Sequence, residues 1–372
     1  MLPDVPMWMM LLGFLLVLGP LVTVHELGHY LVGRVFGVKA DAFSIGFGKE
    51  LAGWTDKRGT RWKLSALPLG GYVKFAGDMN PASQPDDEAY LALPEEERRR
   101  TFQAKTLWQR ALIVFAGPAT NFIVAILIFA GFAMAYGKPV TPPVIDMFAE
   151  ESPALAAGLE LGDRVIAIDG NEIADFEEVA AHVLPFPGRV IELTVDRRGE
   201  VDTVPVRIAD LEITDRFGNT SRIGRIGIGA NDREYRALGP LEAIAYGAGA
   251  SVDLVKLMVT GIVQIVTGER SVKELGGPIK IAQYSGERLS LGPLPFIEFI
   301  AFISINLAFI NLLPIPALDG GHLAFYAAEG IRRKPASARS QEWAFRTGMA
   351  FVLALMVFVT INDIASLPIF GR

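Results

Sequence analysis

Apolar residues in this chain of 372 residues gather into blocks, with long polar stretches between them. Four blocks are long enough to cross a bilayer as helices: Met7 to about Phe36, Leu107 to Tyr136, Pro295 to Leu313, and Ala344 to Ile361. Between the first two, "AFSIGFG" and "RWKLSALPLGGYVKF" alternate in polarity and are rich in β-formers, with Gly46, Gly48, Gly70 and Gly71 at bends. This predicts a membrane-associated β-sheet, which lipid tolerates only where the edge lines a polar cavity. The following stretch, "GDMNPASQPDDEAYLALPEEERRR", is polar and proline-containing and reads as a loop. Farther on, Glu151 to Val183 alternates short helix, turn, strand and amphipathic helix, and the strands "VIELTVDR" and "VDTVPVRI" follow, which predicts a compact α+β domain. A fifth apolar stretch, Leu238 to Thr267, is helical in pattern but interrupted by Glu242, Asp253 and Lys256, and is expected to lie on the membrane surface.

Composition agrees with a membrane protein: 51% of residues are hydrophobic and mean hydropathy is +0.34. The absence of cysteine excludes a disulfide framework and any thiolate metal site. The net charge of −6 matters less than its distribution. Arg34, Lys39, Lys57, Arg58, Arg61, Lys63, Lys74 and Arg98 to Arg100 lie between the first and second blocks, and Arg332, Arg333, Lys334 and Arg339 between the third and fourth. The positive-inside rule puts both loops in the cytoplasm and the polar block from about Gly137 to Gly292 outside. The basic residues form no aromatic-studded patch, so no nucleic-acid partner is expected. The leading "MLPDVP" carries an acid and no base, so the first block reads as a retained helix and not a cleavable signal.

One stretch breaks the apolar pattern at high cost. "LVTVHELGHYLVG", Leu21 to Gly33, carries His25, Glu26 and His29 inside the first block, where each charged group costs several kcal/mol unless paired or hydrated. His25 and His29 are four apart and share a helix face, and Glu26 adjoins the first, which is the HExxH pattern. Two imidazoles then bind Zn²⁺ and the glutamate takes a proton from metal-bound water. Such a pair needs a third protein ligand. The third block runs inward and ends in "NLLPIPALDGGH", Asn311 to His322, where prolines break the helix near the depth of the histidines. Asp319 is a natural third ligand there; its alternative role is to cap the next helix, and His322 is either interfacial or a substitute ligand.

HELGH in a first span and NLLPIPALDGG in a later one together resemble the site-2 protease family of intramembrane zinc metalloproteases, in its bacterial regulator-of-sigma-E-protease branch. "SIGFG", "PLGGYVKFAGD", "LWQRALIVFAGPATNF" and "GGPIKIA" are similar to the same branch, so the resemblance runs over nearly the whole chain. It implies zinc ligation by His25, His29 and Asp319, an acid/base role for Glu26, and substrate or oxyanion support by Asn311, for which a plain structural amide is the alternative. The sheet region, with Gly46, Gly48, Gly70, Gly71 and Tyr72, would present an unwound substrate by strand addition, or would only plug the mouth of the cavity.

Residues Val144 to Ile208 resemble a bacterial PDZ domain, a fold that takes extended peptides on a sheet edge. Enterobacterial members of the branch carry two in tandem, whereas this chain has room for one. The expected architecture is a polytopic α-helical membrane protein of about four spans with a membrane-associated β-sheet and one extracytoplasmic α+β PDZ domain. Its segments are 1–136 (two spans, HELGH and the β loop), 137–232 (PDZ), 233–292 (surface helix and linker) and 293–372 (two spans and the LDG motif). The resemblance implies an intramembrane endopeptidase of the bacterial inner membrane. Its expected partners are the lipid bilayer, single-span protein substrates such as trimmed anti-sigma factors or remnant signal peptides, and a peptide ligand of the PDZ domain. The alternative is a catalytically idle scaffold that tethers partners through the PDZ domain.

Overall fold

The computed structural model describes residues 5–77, 94–214, 220–231, 234–334 and 337–365. Most of the polar loop expected after the sheet falls on 78–93, outside the described residues. The main helices are α1 (Met7–Val35), α2 (Leu107–Tyr136), α3 (Phe176–Val183), α4 (Pro240–Val266), α5 (Pro278–Ser290), α6 (Pro293–Leu312), α7 (Asp319–Arg332) and α8 (Ala338–Ala365). Among the described residues five helices, α1, α2, α4, α6 and α8, are long and apolar enough to cross a membrane. The helix built by the third apolar block begins at Pro293, two residues earlier than expected, because a proline at the start of a helix gives up no hydrogen bond.

The chain divides into two compact units, residues 1–128 with 276–363 and residues 129–275 with 364–372. In the first, α1 is the shared wall. Its early half packs closely on α5, where a Cβ on Gly13 would sit 2.7 Å from the Ser285 carbonyl, and Val17 and Leu21 pack with Phe296 and Ile303 of α6. Its later half meets two long strands, β1 (Ala40–Thr55) and β2 (Arg61–Phe75). Both are too long for a flat hairpin, and they bend back on themselves. Residues 42–45 are matched on one side by 71–74 and on the other by 61–64, outside which lie 52–55. Two strands thus build four rungs. Gly46 makes the bend possible: its φ is +89°, and a Cβ there would stand 2.7 Å from the Leu67 carbonyl oxygen. Phe43, Val73 and Phe75 are buried against Tyr30, Val38 and Ile113, whereas Phe47, Leu51 and Leu67 at the bend are exposed. The rung 71–75 is the outermost one on the side of α1.

The second unit holds a four-stranded antiparallel sheet in the order β4–β3–β5–β6, in which β3 is Arg164–Ile168, β4 Asn171–Glu172, β5 Val190–Arg197 and β6 Glu200–Arg207. Ile191, Leu193 and Val195 alternate inward along β5 and join Val165, Ile168, Val206 and Ile208 in one core, covered by α3 through Val179 and Val183. The Asp175 carboxylate caps α3 by accepting from the Glu178 amide at 3.1 Å. Asp163 is almost wholly buried and is held by Arg197, whose Nε and Nη2 donate at 2.8 and 2.7 Å.

The Arg197 hydrogen bonds keep the Asp163 carboxyl below the usual carboxylate range. A carboxyl depressed on folding contributes stability that is complete above its unfolded pKa of about 3.9 and is lost as pH falls through the folded value. Calorimetry of the full chain in detergent should therefore show this unit's transition falling in temperature below about pH 4. Asp163→Asn should melt earlier at neutral pH and show a flatter acid limb.

Candidate metal and proton-transfer site

The site forms where α1, α2, the sheet and the turn before α7 meet, all within the first unit. His25 and His29 stand one above the other on α1, their rings edge-to-face at 4.8 Å between centroids. The Pro314 to Leu318 turn brings Asp319 to them. Leu318 is the residue that precedes the first turn of α7, and no side chain caps that end, so the Asp319 carboxylate is free to point at the imidazoles. Ala317 holds this turn in a left-handed conformation, φ +86°, that a residue with a Cβ adopts at a cost of about 1–3 kcal/mol. Close packing of α8 on the Pro316 backbone at Gly348 keeps the turn in place.

Three lone-pair atoms converge here. His25 Nε2 lies 3.1 Å and His29 Nε2 3.6 Å from Asp319 Oδ2, and the two nitrogens are 3.2 Å apart. Oδ2 is buried and has no hydrogen-bond partner. A single proton can serve one such pair at a time, whereas a cation at the centre serves all three. Ligand atoms at about 2.0–2.2 Å from a tetrahedral ion are about 3.3–3.6 Å from one another, within a few tenths of an ångström of the observed 3.1, 3.2 and 3.6 Å. The donor set, two imidazoles and a carboxylate with no thiolate, suits a borderline divalent ion.

The surroundings fix the donors. His29 Nδ1 donates to the Ile113 carbonyl at 2.9 Å, which leaves the Nε2 lone pair aimed inward. Pro118 lies inside α2 and cannot bond the Val114 carbonyl, so the helix ladder is loosened on this face beside Ile113. His25 Nδ1 is 3.5 Å from the side-chain amide nitrogen of the fully buried Asn121, whose Oδ1 on the other side has no partner. Turning that amide over satisfies both groups at once, with Nδ1–H donating to Oδ1, and presents the second Nε2 lone pair. Ser304 Oγ donates to the Asn121 backbone carbonyl at 2.8 Å and ties α6 to the same point.

Glu26 faces the other side of the same cavity, where its carboxylate accepts from the Val73 amide of the sheet at 3.2 Å. The cavity is about 220 Å³ and is lined by His25, Glu26, His29, Asn311, Asp319 and His322, with Val73, Phe75, Phe102, Ile113, Val114 and Tyr326 among its apolar walls. Of the residues expected from sequence, Asn311 therefore reaches the cavity, and Gly71 touches the Glu26 side chain, its Cβ position lying 3.4 Å from Glu26 Cγ. Gly46, Gly48, Gly70 and Tyr72 do not line it; Tyr72 stacks on Phe47 at 6.1 Å instead. His322 lines the cavity but stands outside the group of three. Sequence reasoning quoted "GPATNF" without singling out Gly117 and Asn121; a glycine and an amide four apart in an apolar helix were the available signal. Arg110 also escaped notice. It pairs with Glu329 at 2.9 Å and lies over the Tyr326 ring, which fastens α7 to α2.

A family model described as Peptidase family M50 matches residues 13–355. Two relatives carry the name putative zinc metalloprotease: one from Agrobacterium fabrum, 48% identical over 358 residues that make up 95% of each chain, and one from Rhizobium meliloti, 45% identical over 355 residues, 94% of this chain and 95% of that one. The protein named Metalloprotease MmpA of Caulobacter vibrioides is 35% identical over 385 residues, 97% of this chain and 96% of its own.

Gly117 is where α2 approaches the two imidazoles most closely: a methyl there would collide with the Nε2 edge of His29 and stand 2.9 Å from Cε1 of His25. Gly117→Ala should destabilise the chain by about 1–3 kcal/mol, while Gly131→Ala on the same helix, with open space around it, should be neutral or stabilising by up to about 1 kcal/mol. Thermal denaturation of both variants in detergent tests this pair.

Proposed function

The chain belongs to peptidase family M50, and from that premise we propose that it is an intramembrane zinc endopeptidase of the bacterial inner membrane that cuts the membrane segments of single-span proteins. The observation that carries the reading is the convergence of His25, His29 and Asp319, with Oδ2 of the aspartate buried and unpartnered, next to the Glu26 carboxylate. In this reading the three side chains hold zinc. When bound, zinc supplies a Lewis acid for the scissile carbonyl and brings the pKa of water towards neutrality. Glu26 takes the proton from the attacking water and returns it to the leaving amine, held in orientation by the Val73 amide. The Asn311 amide is available to donate to the developing oxyanion, and the apolar walls exclude bulk solvent.

A helical substrate hides its carbonyls, so cleavage needs an extended segment. The rung 71–75 supports strand addition: it is an outermost rung, it touches Glu26 through Gly71 and Val73, and the exposed apolar bend at Phe47, Leu51 and Leu67 suits lipid.

Four spans, α1, α2, α6 and α8, are proposed, with α4 lying on the outer surface. Its 27 residues would reach about 40 Å, yet both ends are held by residues of one compact unit. Ala243 packs on Ala130 and Ala133, and the Gln264 side-chain amide donates to the Pro185 carbonyl. Its first turns thus meet the outer end of α2 and its last turn the block that follows α2, which supports a helix that stays on the outer side. The block itself, segment 137–232, is read as a PDZ domain outside the cell membrane that screens or captures substrates. Segment 1–136 then carries HELGH and 293–372 the LDG motif, and 233–292 joins them along the surface.

Two measurements test these readings. Glu26→Gln should keep one zinc per chain and lose at least about a hundredfold of the cleavage of a single-span reporter, whereas His25→Ala, His29→Ala and Asp319→Ala should each release the zinc. Full activity of Glu26→Gln, or zinc retained by Asp319→Ala, would remove the mechanism. A cysteine at Ser337 should react with an impermeant thiol reagent only from the cytoplasm and one at Gly199 only from outside; labelling of both from one side would make α4 a span.

A further inference from the structure

Where α1 ends, a second cavity of about 560 Å³ opens, apart from the peptidase site. Five cations line it, Arg34, Lys39, Lys57, Arg58 and Arg100, against two lining carboxylates, Asp41 and Glu97, an excess of five minus two, or three, in the lining that is partly offset by the neighbouring carboxylates of Glu96 beside Arg100 and Asp56 near Arg34. Lys39 is paired with Asp41 at 3.6 Å, and Arg100 with Glu96 at 3.7 Å. Among the described residues, no carboxylate pairs with Arg34, Lys57 or Arg58. The Arg34 guanidinium makes one long hydrogen bond, from Nη1 to the Val38 carbonyl at 3.5 Å, and its buried Nε has no partner. An arginine with five donors left so poorly satisfied is a group waiting for an anion.

The cations are held in place by backbone bonds. The Lys39 amide donates to the Arg100 carbonyl and the Ala76 amide to the Lys39 carbonyl, both at 2.8 Å. The Asp56 carboxylate rigidifies the turn that carries Lys57 and Arg58 by accepting from the amides of Arg58 and Thr60 and from the Trp62 indole. The cavity also has a defined depth. Val35 is 80% exposed and Trp108 57% exposed where α1 ends and α2 begins, and Phe36 packs edge-on against Trp108 at 5.3 Å. Exposed apolar and aromatic residues at the ends of two adjacent spans mark the boundary of the hydrocarbon layer, and the cations stand just beyond it. A basic pocket at headgroup depth beside two spans has the chemistry of an anionic phospholipid site.

We propose that this cavity binds the phosphate of an anionic glycerophospholipid headgroup, which anchors the end of α1 at the membrane surface. The proposal stands on the cavity and its membrane depth, and does not depend on the peptidase reading.

The test is native mass spectrometry of the full chain in detergent, titrated with phosphatidylglycerol, phosphatidylcholine or inorganic phosphate. Phosphatidylglycerol should be retained about tenfold more tightly than phosphatidylcholine, and the double variant Lys57→Gln/Arg58→Gln should lose about fivefold for each charge removed. Both side chains are exposed in a turn, so that variant keeps the fold; Arg34→Gln should weaken retention as well. Neutralising Arg332 and Arg333, basic residues outside the cavity, should change nothing. Equal retention of the two lipids, or unchanged retention in Lys57→Gln/Arg58→Gln, overturns the proposal. Displacement of the lipid by millimolar inorganic phosphate, or binding of phosphate with no preference for lipid, would make the ligand a soluble phosphate and overturn the lipid assignment.

Discussion

Everything in the first unit depends on keeping three polar side chains satisfied inside an apolar helix. His25, Glu26 and His29 are largely withdrawn from the surface, so each finds partners in protein, and the fold around them can be read as the supply of those partners. Ile113 and Asn121 of α2 serve the two imidazole Nδ1 atoms, the sheet serves Glu26 through the Val73 amide, and the turn before α7 brings the Asp319 carboxylate. Three separate stretches of chain are thereby committed to a few ångströms of α1. Several irregularities follow from that crowding: Pro118 in α2, Gly117 where α2 must pass the rings, and the left-handed Ala317. Each costs stability locally and is kept because the neighbouring packing leaves no alternative.

The same constraint explains why a sheet stands beside the helices. Open strand edges are not tolerated in lipid, and here the inner edge faces a polar cavity while its far bend presents Phe47, Leu51 and Leu67 outward. Among the described residues the edge that touches Glu26 pairs with no further strand, so a single backbone segment both orients the proposed proton acceptor and carries the proposed strand addition. At the end of α1 the rule works in the opposite sense. Past the last turn of α1 the chain gathers positive charge that the nearby carboxylates only partly neutralise, which is tolerable where water or an anionic surface supplies the balance.

Much of this was legible along the chain. The apolar blocks gave the long helices because backbone groups in lipid must bond within their own segment, and the spacing of His25, Glu26 and His29 gave their shared helix region because helical periodicity is local. Asp319 was legible by depth, since a proline-broken helix end can be placed against another span by counting residues. The glycines of the sheet were legible as bends, but their distance from the cavity was not, and only Gly71 reaches the Glu26 side chain.

What the sequence determined by itself is therefore what short-range rules determine: which segments are helical, which faces are apolar, and which side chains are too costly to be there without a task. The tertiary structure decided which groups meet. That Asn121 would stand behind His25, that residues 42–45 would be flanked on both sides by β2, and that Arg34 would be left facing an open basic cavity all follow from the packing of segments dozens of residues apart. Such contacts depend on shape complementarity summed over many atoms, each contributing only about 0.1–0.2 kcal/mol, and no local pattern along the chain encodes that sum.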